Sequence, residues 1–248
     1  MPQLNRNEIN ALRYYTGDTS CCPDYPDNAK AYVVLNSLFF SGIATESARA
    51  AEGKFLDSAL ITDIPMLCDL LGNIFSAFSH AVSPADMQTF RVERYSDYQK
   101  ILESGRTVSF TSTSTAGFLD AYRDRKGIAL MRFSLPAGTH CIDMASLLDE
   151  YRKSGEQEIL LPPLMKLGIS QIPLTESEKN ITDSSGEPPA VSCSAVCSGY
   201  SPLKMADDIS ADGASAGERV FAALNSGKAP EDEDIRLYTE WKKSLFIC

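Results

Sequence analysis

Two glutamates separated by one residue, Glu156 and Glu158, stand directly ahead of the apolar run at 159–161. Side chains alternate along an extended chain, so two carboxylates at this spacing share one face of a strand. A carboxylate beside an anomeric carbon stabilises the oxocarbenium-like transition state of glycosidic bond cleavage. The same spacing recurs at 176–178 and 231–233, so the spacing alone does not select the copy that carries chemistry.

Two elements that precede 156–158 supply the groups that a dinucleotide substrate needs. Arg91 lies in a short run typical of a strand, and arginine offers a planar, permanently charged fork for phosphate oxygens. Residues 107–114 are rich in β-branched and hydroxyl side chains, which predicts a second strand with Ser112 and Ser114 on one face. Only the copy at 156–158 follows both elements and precedes an apolar strand, so we expect this copy to carry the chemistry.

The composition limits the class of protein and of partner. The 248 residues are 44% hydrophobic and 23% charged, which is typical of a globular chain long enough to bury a sizeable core. A net charge of −10 argues against a nucleic-acid partner, because phosphate contacts need clustered Lys and Arg. No apolar stretch approaches the roughly 18 residues of a membrane span, and the first residues lack the apolar core of a signal peptide.

The seven cysteines are an odd number at irregular positions, which favours free thiols in a reducing compartment over a disulfide framework. The chain has two histidines and no pair of cysteines at the C-x2-C spacing of a zinc site. We therefore expect no metal, and we expect the chemistry to depend on carboxylates.

The elements that position these groups change in character along the chain. The first third has helical spacing, and residues 95–104 predict a further helix closed by Gly105. Strand patterns fill the middle, whereas Ser, Asp, Gly and Pro dominate 175–217, which predicts a loop-rich connection. We predict an α+β protein in three parts: a helical N-terminal subdomain at 1–84, a β-rich catalytic core at 85–174 and a loop-rich C-terminal extension with short helices at 175–248.

The motifs and their order resemble the mono-ADP-ribosyltransferases of the arginine-serine-glutamate class, which includes bacterial toxins and injected effectors. The resemblance covers about residues 8–173. It rests on "NEINALRYYTGDT" and "YVVLNSLFFSG" for the N-terminal helices, "QTFRVER" for the arginine strand, "VSFTSTST" for the F-x-S-T-S strand, "IALMRFSLPAGTHCID" for a strand and glycine turn, and "GEQEILLPP" for the E-x-E strand. It implies the ADP-ribosyltransferase fold, in which helices precede a two-sheet β core that forms an NAD⁺ cleft.

The resemblance implies a role for each residue that matches a motif. Arg91 would hold the NAD⁺ pyrophosphate, and Ser112 would orient the catalytic glutamate. Thr113 and Ser114 would complete the strand along the cofactor. Glu158 would bind the 2′-hydroxyl of the nicotinamide ribose and stabilise the cation as nicotinamide leaves. No metal is implied, and NAD⁺ is the co-substrate.

The remaining matched positions concern the acceptor and the nicotinamide. Glu156 would orient or deprotonate the acceptor, and Tyr151 would lie in the loop that meets the acceptor protein. Phe118 would stack on nicotinamide, although Phe118 and Tyr151 are equally compatible with core positions. Arg94 competes with Arg91 for the pyrophosphate role, and we favour Arg91 because it follows an aromatic residue on the strand.

The expected function is therefore NAD⁺-dependent protein mono-ADP-ribosylation. In this family an E-x-E pair goes with arginine as the usual acceptor, and a threonine, for instance on ubiquitin, is the alternative. The resemblance implies a host protein as substrate and a monomeric bacterial effector, a virulence factor that is secreted and acts in the host cytosol. Two other functions stay open: an NAD⁺ glycohydrolase, and an inactive transferase scaffold that serves as an interaction protein.

Overall fold

The computed structural model describes residues 4–26, 31–39, 59–116, 126–149, 157–180, 182 and 189–247. The chain divides into two compact units. The sheet unit is centred on His80–Ser201, and the helical unit combines Gln3–Ser79 with Pro202–Cys248. The candidate residues that the structure describes, Arg91, Arg94, Ser112, Thr113, Ser114 and Glu158, belong to the sheet unit.

Within the described part of the chain, helices dominate the beginning and the end and strands dominate the middle. The helices are α1 (Arg6–Thr16), α2 (Ala31–Ser37), α3 (Ala59–Thr62), α4 (Ile64–His80), α5 (Tyr95–Ser104), α6 (Met144–Leu147), α7 (Glu176–Lys179), α8 (Ala211–Asn225) and α9 (Asp232–Ser244). The strands are β1 (Met87–Arg94), β2 (Thr111–Ser114), β3 (Ile128–Leu135), β4 (Ile142–Asp143), β5 (Glu158–Leu161), β6 (Lys166–Ile172), β7 (Val191–Gly199), β8 (Lys204–Met205) and β9 (Phe246–Ile247). The predicted α+β class is confirmed.

The sheet unit is built on one mixed sheet with the strand order β4-β5-β2-β1-β3-β7-β6. Neighbouring strands run antiparallel except β3 and β7, which run parallel. The helical unit contains a small antiparallel pair formed by β8 and β9. The three strands that carry the candidate residues, β1, β2 and β5, are therefore direct neighbours in the sheet.

The junction between β1 and β2 is narrow. β1 pairs with β3 along its full length, from Met87 opposite Leu135 to Arg94 opposite Ile128. With β2 it shares a single pair of opposite residues, Phe90 and Ser114. The strands β4, β5 and β2 thus continue into the strands β1, β3, β7 and β6 as one hydrogen-bonded sheet. Within the described residues, this single pair of opposite residues is the ladder contact between the two halves of the expected two-sheet core.

One hydrophobic cluster lies on one face of this sheet. Every second residue of β3 belongs to it, as do Ile159 and Leu161 of β5, because side chains alternate along a strand. Tyr98 and Ile101 on one side of α5 belong to the same cluster. Ser112, Ser114 and Glu158 project from the opposite face of β2 and β5, which they share with the buried Leu160.

Helix α5 follows β1 without a loop and ends at Gly105. This glycine has φ of 60°, a left-handed conformation that glycine adopts without the strain a Cβ would bring. Its backbone N–H donates to the Ile101 carbonyl, as expected for a helix end. The helix predicted at 95–104 is confirmed at both ends.

The division predicted at residue 174 does not coincide with that of the structure. β7 lies between β3 and β6, so the segment just after 174 belongs to the sheet unit. The loop-rich connection predicted for 175–217 is wrong at 191–199, which form β7, because Cys193, Ala195 and Cys197 alternate into the core. These side chains are small and weakly hydrophobic, and serines stand beside them in the sequence. The alternating hydrophobic pattern that predicts a strand is therefore weak at 191–199.

In the helical unit, α8 and α9 pack closely because α8 carries glycines at the contact. A Cβ built on Gly213 would lie 2.2 Å from Cβ and Cγ of Trp241. A Cβ on Gly217 would lie 2.7 Å from the Tyr238 ring. Both aromatic residues are buried. The absence of a side chain at the two glycines therefore allows the aromatic side chains to be buried against the α8 backbone.

We expect Gly213→Ala to lower the free energy of unfolding by about 2 kcal/mol, since overpacking a core costs about 1–3 kcal/mol and exceeds the helix propensity gained. Trp241 is contacted at its Cβ, so it cannot move aside by a change of rotamer alone. Urea unfolding measures the change, and Ser215→Ala on the exposed side of α8 serves as the control. Equal stability of the two variants would contradict the packing argument.

The six cysteines within the described residues are free, as the sequence predicted. Burial raises the pKa of the Cys141, Cys193 and Cys197 thiols to about 12, so these three are packing groups rather than nucleophiles. Among the described helices, none combines the length and the apolar content that a membrane span requires.

Candidate active site

The Arg91 guanidinium links β1 to β2. Its Nη1 donates a hydrogen bond to the Ser112 carbonyl oxygen at 2.7 Å, although the two residues are 21 positions apart. β1 and β2 share only one pair of opposite residues. The Arg91 side chain therefore bonds to the β2 backbone where the ladder between the two strands is incomplete. The predicted arginine strand and the predicted hydroxyl strand are thereby brought together.

Glu158 lies on the neighbouring strand, opposite Ser114. The pairing of β2 with β5 sets Ser114 against Glu158 and Ser112 against Leu160. Residues directly opposite in an antiparallel pair have Cβ atoms about 5 Å apart on one face, and diagonal neighbours lie about 7–8 Å apart. Ser114 is therefore the nearer serine to Glu158, and Ser112 is its diagonal neighbour. The sequence had assigned the orienting role to Ser112.

Burial alternates along β2 as the sequence predicted. Ser112 and Ser114 are half-buried, whereas Thr113 is 3% exposed. The Thr113 hydroxyl donates to the Ile159 carbonyl oxygen at 2.8 Å and so joins β2 to β5 on the core face. This structural contact differs from the cofactor contact expected for Thr113, because alternation turns its side chain away from the face that carries Glu158.

The two candidate arginines of β1 lie in different surroundings. The Arg91 side chain is 31% exposed and reaches β2, while Arg94 is exposed at the end of the strand and is the N-cap residue of α5, without a side-chain capping bond. The Arg91 Nε also forms an ion pair with Glu93, whose side chain is only 12% exposed. Glu93 was missed in the sequence, although R-x-E on a strand puts both side chains on one face by the same rule as E-x-E.

Glu156, Phe118 and Tyr151 lie outside the described residues. The residue between the two glutamates, Gln157, is described and contacts Thr115 twice. The Thr115 hydroxyl donates to the Gln157 side-chain oxygen at 2.7 Å, and the Thr115 N–H donates to the Gln157 carbonyl at 3.1 Å. The end of the serine strand is therefore tied to the start of the glutamate strand.

The other two copies of E-x-E serve the structure. Glu178 is 2% exposed, pairs with Arg132 at 2.6 Å and accepts the Thr175 N–H at 2.7 Å. Burial by itself raises the pKa of Glu178, but the hydrogen bonds from Thr175 and the Arg132 charge outweigh it and lower the pKa. Glu176 and Glu233 form exposed ion pairs within their own helices. Glu178 falls in the segment predicted to be a loop-rich connection and is instead a buried carboxylate on α7.

No protein-family model and no curated protein sequence matches this chain. Among solved structures, the chain is similar to the C3 exoenzyme of Clostridium limosum, at 16% identity, with 79% of this chain and 87% of that chain covered and a TM-score of 0.46. It is also similar to the enzymatic component C2-I of the Clostridium botulinum C2 toxin, at 16% identity, 79% and 44% coverage and a TM-score of 0.48. It is likewise similar to the ADP-ribosylating toxin BECa of C. perfringens, solved with NADH, at 18% identity, with 78% of this chain and 44% of that chain covered and a TM-score of 0.47. The chain spans less than half the length of the last two proteins.

Proposed function

We propose that this protein is an NAD⁺-dependent mono-ADP-ribosyltransferase that acts on a host protein. The observation that carries the proposal is the contact between Arg91 and the Ser112 carbonyl, on the strand next to the one that begins with Glu158. A cation for phosphate, two serine hydroxyls and a carboxylate thus stand on three adjacent strands. The order of the arginine, hydroxyl and E-x-E motifs along the chain supports the same function.

The Arg91 guanidinium binds the NAD⁺ pyrophosphate through charge-assisted hydrogen bonds. The bond between the ribose C1′ and the nicotinamide nitrogen breaks, and its electron pair leaves with nicotinamide. Glu158 accepts a hydrogen bond from the ribose 2′-hydroxyl and stabilises the positive charge that develops on the sugar. Ser114 and Ser112 lie opposite and diagonal to the glutamate and hold its carboxylate in place.

The acceptor completes the reaction by forming a new bond to C1′. Glu156 takes the proton that the acceptor nucleophile releases, which also explains why a second carboxylate would precede Glu158. We propose arginine as the acceptor side chain, with threonine as the alternative, and a secreted bacterial effector that works as a monomer in the host cytosol. Phe118 and Tyr151 are proposed to contact nicotinamide and the acceptor protein.

The proposal is tested with NAD⁺ labelled on its adenine ring, incubated with the protein in the presence and absence of a eukaryotic cell lysate. We expect release of nicotinamide and transfer of label into a small number of lysate proteins. Mass spectrometry of the labelled proteins then identifies the target and the acceptor residue. Absence of nicotinamide release in both incubations contradicts the proposal, and release without protein label favours the glycohydrolase function.

Replacement of Glu156 should separate the two half-reactions. We expect Glu156→Ala to lower protein labelling by about 10²-fold, because a positioned base contributes about 10²–10⁴-fold, and to leave nicotinamide release to water within about a factor of two. Glu231→Ala, in another E-x-E copy, is the matched control. Equal loss of both activities would show that Glu156 is not dedicated to the acceptor.

A further inference from the structure

Glu93 is the strongest feature of the site that the proposed function leaves without a role. It lies two residues after Arg91 on β1, so both side chains project from the same side of the strand. Its carboxylate accepts from the Arg91 Nε, and its side chain is only 12% exposed. A carboxylate so largely removed from water is costly unless it is paired, and here its partner is the arginine proposed to bind phosphate.

The Arg91 guanidinium is held from two directions. Nε donates to Glu93 on the same strand, and Nη1 donates at 2.7 Å to the Ser112 carbonyl on the next strand. Two acceptors on different nitrogens fix both the direction of the side chain and the rotation of the guanidinium plane. An arginine side chain loses rotamer entropy when it binds a ligand, and it loses less when it is already ordered.

We propose that Glu93 is a positioning residue that orders the Arg91 guanidinium before the dinucleotide binds. The inference rests on the proposed function, because it takes the NAD⁺ pyrophosphate as the ligand of Arg91. Glu93 acts through Arg91 and takes no part in breaking the glycosidic bond. Its effect therefore falls on the KM for NAD⁺ and on nucleotide affinity, while kcat is preserved.

Ordering of Arg91 by Glu93 and electrostatic repulsion between Glu93 and the phosphates predict opposite changes in NAD⁺ affinity, and two substitutions distinguish them. Glu93→Ala removes both the acceptor of the Nε hydrogen bond and a negative charge near the phosphates. Glu93→Gln removes the charge but keeps an oxygen at the same length of side chain. If ordering dominates, alanine weakens NAD⁺ binding and glutamine restores it; if charge repulsion dominates, both variants bind NAD⁺ more tightly than the wild type.

The experiment measures nicotinamide release against NAD⁺ concentration, with NAD⁺ affinity by isothermal titration calorimetry. We expect Glu93→Ala to raise KM and the dissociation constant by about 3- to 10-fold, the cost of immobilising one long side chain. We expect kcat to stay within about twofold, and Glu93→Gln to lie within about twofold of the wild type in both constants. Glu103→Ala, an exposed glutamate on α5, controls for a general effect of lost charge.

Each outcome decides between the alternatives. Equal KM values for the alanine and glutamine variants, or tighter binding by both, overturn the positioning role while the proposed function stands. A wild-type protein without NAD⁺ cleavage overturns the proposed function itself. If the alanine variant does not fold, Glu93→Asp keeps the charge and shortens the reach by one methylene. A raised KM for aspartate beside an unchanged KM for glutamine supports positioning, and an unchanged KM for both overturns it.

Discussion

Replacement of Glu158 by glutamine is expected to lower NAD⁺ cleavage by at least about 10²-fold, because one preorganised group that stabilises transition-state charge is worth about 10²–10³-fold in rate. Glutamine keeps the size of the side chain and one acceptor oxygen but loses the negative charge. The sugar becomes cationic only as nicotinamide leaves. The loss should therefore appear in kcat more than in the KM for NAD⁺.

The measurement is nicotinamide release by wild type and variant at several NAD⁺ concentrations. Glu176→Gln is a matched control, because Glu176 opens another E-x-E copy and its side chain is 88% exposed. Glu158 lies at the start of β5 and is half-buried, so its isosteric replacement should leave the unfolding midpoint unchanged. Full activity of Glu158→Gln would remove the transferase proposal, whatever the behaviour of the other residues.

Replacement of Arg132 by methionine is expected to lower the free energy of unfolding by about 3 kcal/mol, since breaking a buried ion pair from one side costs about 3–5 kcal/mol. The substitution leaves the Glu178 carboxylate, with a side chain only 3% exposed, without its cation. Hydrogen bonds from Thr175 and from the Ser192 hydroxyl at 3.4 Å remain and moderate the loss. The reverse change, Glu178→Gln, should cost less, because the Arg132 side chain is 27% exposed and can meet water.

The same pair predicts how stability depends on pH. The pKa of Glu178 is lowered in the folded protein, so its contribution is fully present above the unfolded pKa of about 4.3 and is lost as pH falls through the folded pKa. Without Arg132 that lowering is smaller. The acid loss of stability should therefore begin at a higher pH in Arg132→Met than in the wild type.

Urea unfolding followed by circular dichroism at neutral pH and at several acidic pH values measures both effects. The control is Arg236→Met, which removes an exposed ion-pair network on α9 and should change stability by no more than about 1 kcal/mol. If Arg132→Met and Arg236→Met are equally stable, the Glu178 carboxylate does not need its cation. If the acid transition is the same with and without Arg132, the explanation for the lowered pKa is wrong.

Several features followed from local patterns. The helix at 95–104 follows from the helical spacing of its apolar residues and from Gly105, because the residues of one helical turn determine where a helix ends. The alternation of side chains along a strand correctly predicted that Ser112 and Ser114 lie on one face and Thr113 on the other, where the serines are half-buried and the threonine is buried. The choice of 156–158 among three E-x-E copies used only the neighbours of each copy.

Other features depended on which strands pair. The short run 191–199 became a strand beside β3 because its cysteines and alanine meet a core made by distant residues. Glu178 is a buried carboxylate only because Arg132, far away in the chain, lies beside it. Nothing in the local sequence of either segment specifies these partners.

The sequence by itself determined the class of elements, the face of each side chain and the set of groups that could bind a dinucleotide. The tertiary structure decided that β1, β2 and β5 are neighbours, that Ser114 rather than Ser112 lies opposite Glu158, and that Glu93 holds Arg91. The physical reason is range. Backbone conformation and side-chain alternation are set within a few residues, whereas strand pairing and the partner of a charged group depend on residues brought together by the whole core.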